Sequence, residues 1–230
     1  MATHLNLEDQ EQLEQLKSFW KQFGNPITWL LIVVLGAFAA WNGWNWWQRD
    51  QAIKAGAMYD ELDKAAQASD ADRTSRIFAD MKERFSGTAY TQQAALLTAK
   101  VQLDKGQADA AVVTLAWVAE HAPETEYRTV ARLRAAGILL DQKKYDEALK
   151  QLDAAPSPEF EALMLDRRGD ILFARRHLVR PGKKAEAQAA FIKAYAAMDP
   201  KVDYRRLIEA KLTSLGAAPP AEAAASGAAS

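Results

Sequence analysis

A gap in the charge pattern constrains this chain most. No charged residue lies between Lys21 and Arg49, and residues 27–47 read ITWLLIVVLGAFAAWNGWNWW. At about 1.5 Å of helical rise per residue, roughly 20 such residues cross a hydrocarbon core of about 30 Å. The run closes on Trp41, Trp44, Trp46 and Trp47. Indole rings settle at the membrane–water interface. The pattern predicts an uncleaved transmembrane helix over 25–47. A buried core helix rarely runs so long without charge. A cleaved signal peptide competes through Ala37-Phe38-Ala39, which resembles a cleavage site. Signal peptides begin short and positive. Here residues 1–24 are long, and Glu8, Asp9, Glu11 and Glu14 outnumber Lys17 and Lys21.

Within the span, Gly36, Ala40 and Gly43 share a helical face. Small residues let a second helix approach closely in lipid, so this face is a candidate partner-binding surface. Small residues are also common in membrane helices for no such reason. Before the span, Leu13, Leu16, Trp20 and Phe23 share a face within residues 5–23. This predicts a short interfacial helix. Lys17 and Lys21 on one side and Arg49, Lys54 and Lys64 on the other leave the orientation open.

The remaining composition excludes several functions. Lysines and arginines nearly balance acids across 230 residues, for a net charge of −1. That balance argues against nucleic acid as a partner. With no cysteine, the chain has no disulfide, thiolate chemistry or Cys-based zinc site. His4, His121 and His177 are scattered, and HExxH, GxSxG and phosphate-loop motifs are absent. The chain reads as a non-enzyme with no cofactor and no metal. Asp166 and Asp170, one turn apart amid Arg167 and Arg168, read as solvated ion pairs.

Beyond residue 50 the chain repeats with a period near 37. One helix of each unit carries a small residue, Ala99, Ala136 and then Gly169. A turn follows, with Gly106, Lys143 and Gly182 at equivalent places. The second helix carries Ala111, Ala148 and Ala187, then Val118, Ala155 and Ala194 seven residues later. Larger packers sit between them: Leu115, Leu152 and Phe191. Pro123, Pro156 and Pro200 stop the second helices. Small residues facing large ones let two helices interlock. This is the pattern of tetratricopeptide-like helix pairs stacked into a solenoid. Pairs are expected at 50–86, 90–122, 127–155 and 159–199, with a capping helix at 202–215. The fold class is all-α: an N-terminal segment 1–24, the span 25–47, a repeat domain 48–215 and a disordered tail 216–230. The last unit has about six extra residues around Arg175–Pro181.

In such a stack the first helices line an inner groove. Taking Ala99, Ala136 and Gly169 as equivalent, the groove receives Leu96, Lys100, Leu103, Leu133, Leu140, Leu163 and Phe173. These are candidate partner-binding residues for an extended or helical protein segment. In another register they are ordinary core. The basic residues Arg167, Arg168, Arg175, Arg176, Arg180, Lys183 and Lys184 form either a surface for an acidic partner or a solvated face.

An acidic N-terminus leads through Phe23-Gly24-Asn25-Pro26 to the apolar run, which leaves through Trp44-Asn45-Trp46-Trp47-Gln48-Arg49. The stretch Leu165-Asp166-Arg167-Arg168-Gly169-Asp170 and the repeat at 182–195 follow. This order of features, over about residues 5–215, resembles the YfgM family, called ancillary SecYEG translocon subunits. The resemblance implies a single-pass protein of the bacterial inner membrane with a cytoplasmic N-terminus and a periplasmic repeat domain. It implies three partners besides membrane lipid: the SecYEG translocon, a PpiD-type membrane-anchored periplasmic chaperone, and unfolded or nascent secreted polypeptides. The rival from another class is a membrane-tethered regulatory or structural scaffold binding one folded partner, as in envelope stress signalling or assembly.

Overall fold

The computed structural model describes residues 7–175 and 183–220. All regular structure among them is helical. The chain divides into two units, Met1–Ile53 and Lys54–Ser230.

The regular structure of the first unit belongs to α1 (Leu7–Gln67), a helix of 61 residues. The sequence predicts a short interfacial helix leading into the span; α1 runs continuously through both and bends at Pro26. The segments Lys17–Pro26 and Thr28–Gln67 differ in direction by 43°. Two local causes act together. Proline lacks an N–H and crowds the carbonyl one turn earlier. The Thr28 hydroxyl also donates to the Gly24 carbonyl at 2.7 Å, a back-bond that bends helices. Among the described residues no single helix is long and apolar enough to cross a membrane. The bent pair reaches that length and composition together. Large apolar side chains from Trp29 through Trp47 are exposed. Gly36, Ala40 and Gly43 are exposed too, and a Cβ added at Gly36 or Gly43 would meet nothing within 4 Å.

The second unit is a run of antiparallel pairs. The end of α1 precedes α2 (Ala71–Phe85); α3 (Ala89–Asp104) pairs with α4 (Ala108–His121), and α5 (Thr125–Asp141) with α6 (Tyr145–Gln151). A short 3₁₀ turn, Pro158–Phe160, leads into α7 (Glu161–Arg175), followed by α8 (Lys183–Ala197) and α9 (Tyr204–Ser214). From α2 onward, each helix packs on the next, and α5 also packs on α7.

The turns carry the repeat in their backbone. Ser69, Gly106 and Lys143 lie 37 residues apart and take positive φ values of 54°, 74° and 61°. Each closes its helix with the same two hydrogen bonds. Ser69, Gly106 and Lys143 donate to Ala66, Leu103 and Leu140 at 2.8, 2.9 and 2.9 Å. The residues that follow, Asp70, Gln107 and Lys144, reach back to Ala65, Gln102 and Leu139 at 3.0, 2.8 and 2.8 Å. These bonds satisfy carbonyls that a helix end leaves open. Glycine adopts this conformation without steric cost, whereas Lys143 holds it against its own Cβ. Gly182 and the rest of the long turn, 176–182, lie outside the described residues.

Packing follows the small-against-large rule. A Cβ built on Gly169 would sit 2.5 Å from the Phe191 ring, closer than real contacts allow. Ala99, Ala136, Ala111, Ala148, Ala187, Val118 and Ala194 are all buried. Ala155 departs from expectation. α6 stops at Gln151, well short of Pro156, and leaves Ala155 exposed outside any helix. One apolar cluster joins Leu62, Phe78, Met81, Leu115 and Val118. A second joins Ala136, Leu139, Leu152, Met164 and Ile171. A third joins Phe191, Tyr195, Ile208, Leu212 and Leu215, so α9 covers the open end of the stack. Residues 217–220 have no regular structure. The rest of the predicted disordered tail, 221–230, lies outside the described residues.

Two substitutions test this account. Gly169→Ala should destabilise the chain by about 1–3 kcal/mol, because the Phe191 ring must move. Lys143→Gly should stabilise it by about 0.5–1 kcal/mol through relief of the left-handed turn. Urea unfolding should show shifted midpoints at unchanged slope.

Candidate functional site

In the second unit an open trough of ≈ 470 Å³ lies between successive first helices. Leu96, Ala99, Lys100 and Leu103 of α3 form one wall. Leu133, Arg134, Gly137, Ile138 and Asp141 of α5 form the other, Leu115 of α4 lies at the base, and Arg167 of α7 reaches in. Leu96 and Leu133 stand one repeat apart, so they occupy matching places on successive helices. Gly137 keeps the wall low. A Cβ there would lie 3.8 Å from the Arg167 guanidinium carbon. Arg134 donates to the Leu96 carbonyl at 3.5 Å, spanning the two walls. Lys100 pairs with Asp104 at 3.4 Å.

Four of the seven residues predicted for the groove line this trough: Leu96, Lys100, Leu103 and Leu133. Leu140, Leu163 and Phe173 do not. Leu140 packs against the cluster of Ala136, Leu139 and Ile171. Leu163 and Phe173 pack against the cluster around Phe191. The error is one of helical phase. Centring the α5 face on Leu133 and Leu140 misses Arg134, Ile138 and Asp141, which share a face turned toward α3. Arg134, Gly137, Ile138, Asp141 and Arg167 were therefore overlooked. A signal for Arg167 was present, since it follows Arg134 by the spacing that separates Ala136 from Gly169.

A polar cluster lies beside this site, and it corrects the reading of Asp166 as solvated. Asp166 is 2% exposed. Its carboxylate accepts from the Tyr204 hydroxyl at 2.8 Å and from Lys211 Nζ at 2.8 Å. Lys211 also meets Asp170 at 2.8 Å and sits 5.4 Å from the Phe191 ring centre. Burial pushes the Asp170 carboxyl above its usual range, against the pull of Lys211. Burial, followed by the bond to Asp166, pushes the Tyr204 phenol well above its ordinary value. The cluster ties α7 to α9 and so holds the cap on the stack.

In the basic patch read from sequence, Arg168 is paired with Asp153 at 2.6 Å and Arg175 with Asp146 at 2.7 Å. Arg176 and Arg180 lie outside the described residues, as does the side chain of Lys183, while Lys184 is exposed. Among the described residues no group of three or more His, Asp or Glu side chains is placed to hold a metal ion.

Comparisons with known proteins agree with this architecture. The family model of a tetratricopeptide repeat-like domain matches residues 17–217. An ancillary SecYEG translocon subunit of Neisseria gonorrhoeae is 27% identical over 219 residues, covering 94% of this chain and 100% of that protein. Its counterpart in Haemophilus influenzae is 26% identical over 190 residues, or 81% of this chain and 88% of that one. The Escherichia coli subunit is 25% identical over 186 residues, or 80% and 85%. These relatives carry the family name that the order of sequence features pointed to. No solved structure gives a significant match.

Asp166 provides the test of the polar cluster. Asp166→Ala should destabilise the chain by about 1–3 kcal/mol, because Tyr204 and Lys211 each lose a buried acceptor while Asp170 still pairs Lys211. Lys211→Met should cost more, because it removes the cation that Asp166 and Asp170 share, and a double-mutant cycle of urea unfolding measures the coupling.

Proposed function

From a chain that belongs to the tetratricopeptide repeat-like domain family, we propose a non-enzymatic accessory subunit of the SecYEG translocon. In this reading the uncharged run anchors the protein in the bacterial inner membrane. The N-terminus is cytoplasmic and the repeat domain periplasmic. The trough receives apolar stretches of secreted polypeptides as they leave the channel. A PpiD-type chaperone works beside it, and Gly36, Ala40 and Gly43 form the face for a partner helix.

One observation carries the proposal. The family match from 17 to 217 takes in both the uncharged run and the repeats, and three relatives named ancillary SecYEG translocon subunits align over 80% or more of the chain. The trough supports the client-binding part, since concave apolar surfaces with a few placed polar groups are what binding sites look like. Anchoring supports it physically. A tethered weak binder meets emerging chains at a high effective concentration.

Leu103→Asp and Leu133→Asp should each weaken binding of unfolded polypeptide by roughly 10–100-fold, the value of one buried leucine. A folded Leu140→Asp protein should instead bind as before, because Leu140 does not line the trough. Site-specific photo-crosslinking in cells provides the readout. A folded Leu133→Asp protein that still crosslinks to clients would remove the trough from the mechanism. Failure of the intact protein to crosslink to SecYEG would remove the translocon and favour the scaffold. Alkaline phosphatase fused after Gly216 should be active, and green fluorescent protein there should be dark. The reverse would put the repeats in the cytoplasm.

A further inference from the structure

We infer that the trough discriminates by charge: it takes apolar polypeptide stretches that carry carboxylates in preference to basic ones. The inference rests on the reading of the trough as a polypeptide site and adds the sign of its clients.

The floor and the rim contribute different things. Leu96, Leu103 and Leu133 supply apolar surface, which is indifferent to charge. The rim is cationic. Lys100, Arg134 and Arg167 line it, against Asp141 as the one lining acid. This surplus is local, because the whole chain carries a net charge of only −1.

None of the three cations is firmly neutralised from within. Arg134 is exposed; it makes the 3.5 Å contact to the Leu96 carbonyl and meets no carboxylate among the described residues. Lys100 faces Asp104 at 3.4 Å, but their side chains are 67% and 59% exposed. A pair so solvated holds weakly and exchanges readily for another carboxylate. Arg167 stands 4.0 Å from Asp170, whose oxygens are taken more closely by Lys211 at 2.8 Å. Gly137 leaves room beside the Arg167 guanidinium.

An extended polypeptide fits this arrangement by its own geometry. Successive side chains of a strand point to opposite faces. Apolar residues can therefore face the floor while the alternate residues flank the rim. Carboxylates on those alternate residues meet arginine, which presents a planar donor fork to them. Lysines there would meet like charge, and such complementarity acts mainly on selection and encounter rate.

The test uses the full chain in phosphatidylcholine nanodiscs and three fluorescein-labelled eight-residue peptides of alternating Leu-Asp, Leu-Ser and Leu-Lys. Binding is followed by fluorescence anisotropy, with empty nanodiscs as the blank. The Leu-Asp peptide should bind roughly tenfold more tightly than Leu-Lys, with Leu-Ser between. The preference should shrink in 0.5 M salt, since a Debye length of about 3–8 Å screens exposed pairs. It should reverse in the Lys100→Glu/Arg134→Glu double variant. Both positions are exposed, and unchanged thermal unfolding confirms that the variant folds. Equal binding of all three peptides, lost in Leu103→Asp but unmoved in the double variant, would overturn the charge preference and leave the polypeptide site standing. Absence of binding by any peptide would overturn both.

Discussion

The repeat domain depends on how closely two helices can approach. At Gly169 the absent side chain is the contact, since the Phe191 ring occupies the space a Cβ would need. Ala136 and Ala148 do the same work one unit earlier with a methyl group. Close approach matters because it brings side chains within dispersion range along the whole helix length, and short helices have little intrinsic stability in water. The turns make that approach repeatable. Ser69, Gly106 and Lys143 take the same left-handed conformation at the same interval, so each pair leaves its turn in the same direction. The chain accepts strain at Lys143 to keep that geometry.

From this regular stack two irregular features emerge. One is the trough, which opens where Gly137 and Ala99 leave the facing walls low. The other is the charged cluster of Asp166, Asp170 and Lys211, which fastens the cap helix. They meet through α7. Arg167 lines the trough and also faces Asp170, while Asp166, one residue earlier, points into the cluster. The same short stretch, Asp166 to Asp170, therefore serves both a surface and the interior. An apolar stack has no reason of its own to end at a given helix. A buried ion pair whose parts lie on α7 and α9 supplies one.

Much of this was legible in the residues. The helix pairs, the turn positions and the small–large alternation follow from a period that the chain repeats and from the volumes of Ala, Gly and Phe. The failures were of two physical kinds. Helical phase was misjudged on α5, where a shift of a fraction of a turn exchanges Leu140 for Asp141 at the trough. Both faces of that helix carry leucine or isoleucine, so periodicity alone cannot rank them. Long-range pairing was also missed. Asp166 and Asp170 look solvated beside Arg167 and Arg168, and nothing nearby in the sequence announces Lys211, some forty residues later.

The sequence by itself determined that the chain is helical, that it carries a long uncharged run ending in tryptophans, and that it repeats with a 37-residue period. Each is a local property, set by side-chain volume, backbone preference and the spacing of charge. Only the tertiary structure decided which leucines line the trough, where α6 ends relative to Pro156, and that Asp166 is buried against Lys211 and Tyr204. Those outcomes depend on the direction in which one helix meets another. That direction is the sum of many contacts between residues far apart in the chain, and no single segment encodes it.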